Sequence, residues 1–198
     1  MNLLRKVLVI SFLLCGYGYN TYSQNVSERI GIPGPLTFAN DQFSLAWSDK
    51  PDVNYYVQEY LPKGQDPDHF KQMLAIHLLK KEMTVDDAVA VKVAELNNRK
   101  KTDPVCHYKL MKSPDGKEMI LDCLLGESVN DKMTVVEFII YRYKQVQLGD
   151  SKGILLYAYS KRSYGDDITA FLRSLGDTRI NDINTMIGAE LPVPNIKE

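Results

Sequence analysis

Three histidines, His69, His77 and His107, are the only imidazoles in this chain of 198 residues. None stands at metal-ligand spacing from another. His69 follows Asp66 and Asp68, and His107 faces Asp122 if the strands around them pair in one particular register. A carboxylate beside an imidazole can hold a proton for acid–base work or bind a cation. Such pairs more often serve as ordinary surface or cross-strand polar groups. No Gly-x-Ser-x-Gly, His-Glu-x-x-His, Walker or Gly-x-Gly-x-x-Gly pattern is present. The expectation is therefore no catalytic residue, no cofactor and no metal.

Cys106 and Cys123 bracket the stretch VCHYKLMKSPDGKEMILDC. There is no Cys-x-x-Cys and no setting that would stabilise a thiolate, which argues against redox catalysis. Pro114-Asp115-Gly116 marks a turn, so the stretch reads as a β-hairpin. Side chains alternate along a strand: Cys106, Tyr108 and Leu110 share one face, and Met119, Leu121, Cys123 and Leu125 share one face of the return strand. These sets meet only if the numbers of paired residues sum to an odd value. Closing the turn with Lys112 opposite Lys117 sets Cys106 opposite Cys123, Tyr108 opposite Leu121, Leu110 opposite Met119, and His107 opposite Asp122 on the reverse face. A turn with a bulged glycine would instead close Ser113 on Lys117 and split the cysteines between faces. A one-residue slip flips every side chain, so the single apolar face favours the first register. Opposed Cβ atoms lie about 4.5–5.5 Å apart, against about 3.8 Å in a disulfide. A structural Cys106–Cys123 disulfide is the expectation; two buried thiols are the alternative.

Tyr141 and Tyr143 share one face of a strand, and Tyr157 and Tyr159 share one face of the next. If Tyr141 pairs with Tyr157, the four form a patch. Val136, Phe138 and Ile140 then lie behind it with Ile154, Leu156 and Ala158, as the better core. Tyrosine combines apolar area with a hydrogen-bonding tip, so the patch is a candidate binding surface. A helix covering it is the alternative.

The elements that position these residues follow from pattern. Segments 36–47, 53–61, 73–80, 133–146 and 153–162 read as strands, with the two arms of the hairpin between them. Periodicity alone leaves 73–80 open between strand and helix. Thr84 caps a helix with Asp86 and Asp87 in its first turn, Val85, Val89, Val93 and Leu96 as its apolar stripe, and Arg99, Lys100 and Lys101 at its end. Asp166 caps a second helix that Gly176 ends, and Asp177 starts a third. Short turns between strands favour antiparallel pairing. The expected class is α+β: a single antiparallel sheet of about six to seven strands with helices packed on it.

At the start, Arg5 and Lys6 precede a short apolar run, residues 7–19. It falls short of the about 20 residues that span a membrane and reads as a secretory signal peptide over 1–23, cut after Ser23. Lipidation at Cys15 is the alternative and the only expected route to membrane contact, but Leu14 precedes the cysteine where a small residue is usual. Residues 24–35 read as a flexible leader, 36–190 as a single domain and 191–198 as an extended tail. Removing Arg5 and Lys6 takes the formal charge from −1 to −3, which gives no basic surplus for nucleic acid. The expected location is periplasm, cell surface or medium.

The segment YVQEYLPKGQDPDHFKQMLAIHLL, with VVEFIIYRYK and GILLYAYSKRSYGDD…FLRSL, resembles an uncharacterised family of envelope proteins from Gram-negative bacteria. The order of elements is similar to PsbP-like α/β/α sandwiches, and the ending YSQ of the leader looks Bacteroidetes-like. The resemblance implies an exported domain and supplies no activity. The functional expectation is a non-enzymatic binding domain for a protein or envelope component. The alternatives are a periplasmic immunity-type protein or a hydrolase with an unrecognised site.

Overall fold

The computed structural model describes residues 26–196. The expected signal peptide, its expected cleavage site and Cys15 lie outside the described residues. Strands β1 (Leu36–Phe38), β2 (Asp41–Asp52), β3 (Tyr55–Pro62) and β4 (Gln72–Leu79) form a meander. Helix α1 (Val85–Arg99) follows, then β5 (His107–Lys112), β6 (Glu118–Val129), β7 (Lys132–Leu148) and β8 (Ser151–Tyr164). A 3-10 turn (Gly165–Asp167) leads into α2 (Ile168–Gly188). All strands join one antiparallel sheet in the order β1-β2-β3-β4-β8-β7-β6-β5. After β4 the chain crosses to the far edge, and the second meander works inward until β8 pairs with β4.

The α+β expectation, with six to seven strands and a PsbP-like sandwich, is corrected. The described residues are mostly β: one curled, half-barrel sheet of eight antiparallel strands with two α-helices among the described residues. The central strands are apolar on both faces, so neither face can be left to water. Leu74, Ile76, Phe38, Phe138, Ile140, Tyr157 and Tyr159 form one core, closed by Leu175, Ile183 and Met186 of α2. Leu121, Cys123, Ile139, Tyr141, Tyr143, Ile154 and Leu156 form the other, closed by Val85, Ala88, Val89 and Leu96 of α1.

Local chemistry sets the element ends. Thr84 Oγ1 accepts from Asp87 N at 3.0 Å, and the Asp87 carboxylate accepts from Thr84 N, a reciprocal box that starts α1. Asn130 and Asp131 take positive φ (50° and 61°) in the two-residue turn from β6 to β7, which their short polar side chains tolerate. Helix α2 corrects the two-helix expectation. It runs unbroken through Gly176, because Leu175 on one side of the glycine and Ile183 and Met186 beyond it bury against the same core. Packing outweighs the helix cost of one glycine, about 1 kcal/mol.

The leader expectation is also corrected for residues 26–35. Ile30 and Ile32 are buried in the core beneath α2. The buried Gln58 amide of β3 holds this segment: it accepts from Arg29 N at 2.7 Å and donates to Ile32 O at 3.2 Å. The chain's other end joins it, with Asn195 N donating to Ile30 O at 2.8 Å.

Candidate functional site

The hairpin keeps the expected parity but closes two residues further on. Tyr108 pairs with Cys123, Leu110 with Leu121 and Lys112 with Met119. The turn is wider because its polar side chains bond the backbone. Ser113 Oγ accepts from Glu118 N at 3.0 Å, Asp115 accepts from Lys117 N at 3.1 Å, and Ser113 N donates to Glu118 O at 2.9 Å. Cys106 therefore lies diagonal to Cys123 rather than opposite, and the expected disulfide is corrected: both are free, buried thiols in the α1 core. Cys106 Sγ meets Leu96 O at 3.6 Å. Burial, with the Asp103 charge, pushes the Cys106 thiol up, and burial raises Cys123 further still.

The same shift separates His107 from Asp122. His107 pairs with Leu124 and is exposed, while Lys109 stands opposite Asp122. Asp122 is buried on this same face beneath α2, where its Oδ1 accepts from Arg179, at 2.8 Å from Nε and more closely from Nη2. His69, on the β3–β4 loop, stacks on Tyr164 with ring centroids 3.8 Å apart.

The tyrosine patch does not form. Tyr141 pairs with Ala158 and Tyr143 with Leu156. This puts Tyr141 and Tyr143 in the α1 core and Tyr157 and Tyr159 in the α2 core. All four are buried, so the expected binding surface is corrected to interior packing on two faces. Burial pushes the Tyr157 hydroxyl up to about 12.

The α1 face does gather a titratable row that the sequence did not announce. Glu137 on β7 lies opposite Arg162 on β8, with Nη2 to Oε2 at 2.7 Å. The guanidinium sits 4.0 Å above the Phe70 ring, and Tyr164 Oη donates to Phe70 O at 3.0 Å. Glu59 on β3 faces this pair. Burial pushes its carboxyl up to about 7, the Glu137 charge adds to that, and Arg162 partly offsets it. One row along the sheet, His77 Nδ1 and Tyr55 Oη share a hydrogen bond of 2.6 Å. Burial, then the Lys92 charge, pushes His77 down to about 4, so it is neutral at pH 7. Lys92 bonds both oxygens of Glu95, at 3.0 and 3.2 Å, and lies over the Tyr141 ring. Glu59 thus holds a labile proton near neutrality. No nucleophile stands in hydrogen-bond contact with it, and no group of three or more metal-ligating side chains occurs among the described residues. The nearby groove, about 280 Å³ and lined by Lys71, Gln72, Lys161, Arg162, Tyr164 and Phe171, is shallow and basic at its rim.

The other open feature is the free edge of β5. This strand ends the sheet order, and five of its six residues are exposed, including Leu110 at 44% and Met111 at 37%. Its α1-side residues are Tyr108, Leu110 and Lys112, and its α2-side residues are His107, Lys109 and Met111, as their partners on β6 dictate. Lys112 pairs with Asp86 at 2.8 Å. The edge can present backbone donors and acceptors together with apolar and cationic side chains.

No curated protein and no solved structure matches the chain. A model of an uncharacterised protein family matches residues 30–191, well over half of the sequence, and the chain belongs to that family.

Proposed function

We propose that the protein is an exported, non-enzymatic binding domain that recognises a protein or envelope component of a Gram-negative, Bacteroidetes-like cell. The observation that carries this reading is the free edge of β5. An unpaired strand edge is a template for another chain, and natural sheets cover or shorten edges that have no partner. The opposite side is edged by the three-residue β1, which buries Phe38, and beyond it by β2, where Ser48 Oγ accepts from Arg29 Nε and donates to Ser27 O of the preceding segment. The β5 edge is six residues long and leaves Leu110 and Met111 in solvent. Export follows from the charged and apolar start of the chain, which predicts a mature terminus at Gln24.

The test is a photo-crosslinking residue at position 110 of the full chain, produced in a Gram-negative host and irradiated in intact cells. Position 53, an exposed valine in the β2–β3 turn, is the control. A discrete macromolecular adduct from 110 and none from 53 is expected. Equal adducts from both positions, or none from either, overturn the reading. The mature terminus is read from the same purified sample.

A further inference from the structure

Resting on that reading, we infer that the occupant of the β5 edge is an acidic, extended segment of a different protein, added to the sheet as a ninth strand. Strand addition takes its affinity from main-chain hydrogen bonds and its specificity from alternate side chains. The strand HYKLMK carries Lys109, Lys112 and His107 and no acid. Exposed Lys100 and Lys101 follow α1, with Lys100 4.2 Å over the Tyr108 ring, while Lys117 in the hairpin turn pairs with Asp115, so the edge carries a cationic excess in a chain of net charge −1. Lys109 makes no ion pair among the described residues, whereas Asp86 already occupies Lys112.

This pattern selects the occupant. Two copies joined edge to edge would set one basic strand against another, and like charges across a strand pair destabilise it. An acidic strand is complementary. On the α2 side it meets His107, Lys109 and Met111, which calls for a carboxylate followed by an apolar residue. On the α1 side it meets Tyr108, Leu110 and Lys112, which calls for two apolar residues.

The experiment uses the full chain after export and three synthetic ten-residue peptides with the same apolar residues. Their remaining positions are glutamate, serine or lysine. Titrations follow peptide fluorescence anisotropy, and hydrogen exchange follows the β5 amides. The glutamate peptide should bind at least about five-fold more tightly than the serine peptide, weaken as salt rises, and protect the β5 amides. Lys109→Gln should reduce that preference, and Lys109→Glu should remove it; because the glutamate stands opposite Asp122, unfolding curves of both variants confirm that β5 stays in the sheet. Equal binding of the glutamate and serine peptides overturns the acidic partner and leaves edge binding standing. Failure of every peptide to protect the β5 amides overturns strand addition itself. Binding to phosphatidylglycerol vesicles, lost in Lys109→Glu while the glutamate peptide fails to bind, assigns the edge to a lipid surface and overturns the protein partner.

Discussion

Glu59 and His77 lie on the same face of adjacent strands and titrate in opposite senses. The Glu59 carboxyl is raised from 4.5 to about 7, so the folded state holds its proton more tightly than the unfolded chain does. Its stabilising contribution is complete below pH 4.5 and is lost as pH rises through about 7. His77 is lowered from 6.5 to about 4, so its contribution is complete above pH 6.5 and is lost as pH falls through about 4. Each changes stability by about 1.4 kcal/mol per pH unit inside its window, and between the two they cancel. The native protein should therefore show a flat stability profile from pH 4.5 to 6.5. Glu59→Gln should gain stability relative to it as pH rises, by up to about 3 kcal/mol at pH 7.5. Urea unfolding at four pH values tests this, and parallel curves for the two proteins would refute it. At the same scale, the thiols should resist alkylation in the native protein. Denaturation without reductant should then label both Cys106 and Cys123, read from their peptides by mass spectrometry; no label on either would restore the disulfide. The shared face of Cys106 and Cys123 was legible from strand parity. Their diagonal offset was not, because it depends on Ser113 and Asp115 bonding the turn backbone.

Helix α2 is tied to the sheet by named contacts along its length. Arg179 reaches Asp122, Lys161 reaches Asp182 at 2.6 Å, and Arg142 Nη1 donates to the carbonyls of Met186, Ile187 and Ala189 at 2.8–3.0 Å. The last contact caps the helix C-terminus with a cation, where the helix dipole and the unpaired carbonyls favour one. Arg142 Nε also bonds Glu118 at 2.6 Å. Arg142→Ala should cost about 1–3 kcal/mol in chemical unfolding, because it leaves the carbonyls of Met186, Ile187 and Ala189 without this donor, while Glu118 keeps Lys144 at 3.0 Å. A loss below about 0.5 kcal/mol would show that water replaces the guanidinium. Gly176 makes the opposite prediction. It lies inside α2, is exposed, and a Cβ there would meet nothing within 4 Å. Gly176→Ala should stabilise the protein by roughly 0.5–1 kcal/mol, and destabilisation would mean that the helix breaks there after all. The helical character of both stretches was legible, although Ile180 and Ile187 of the second are exposed. Their fusion was not, since a glycine reads locally as a stop and only the core beneath Leu175, Ile183 and Met186 overrides it.

Across the whole molecule, the first and last described segments close one core together, through Ile30, Ile32, Leu191 and Ile196. Gly31 has φ +76°, and a Cβ on it would come within 2.5 Å of Asn195 O. Gly31→Ala should therefore lower stability by more than about 1 kcal/mol, through backbone strain and displacement of the C-terminal tail. Thermal unfolding should show a larger loss when residues 190–198 are removed, since Leu191 and Ile196 pack on the core, and Gly31→Ala should cost less in that shortened chain than in the full one, with only its backbone strain remaining. Additive losses would mean that the two ends act separately. By itself, the sequence determined the local properties that depend on near neighbours: strand parity, the Thr84 cap, the turn positions and the apolar stripe of α1. It also set the charge on β5, since charge is a property of composition. Only the tertiary structure decided which face of each strand met which partner. The order β4-β8-β7-β6-β5 pairs residues far apart in the chain, and a register displaced by one moved two tyrosines from a shared patch into opposite cores. Pairing at that distance depends on the summed burial of both sheet faces, which no single segment encodes.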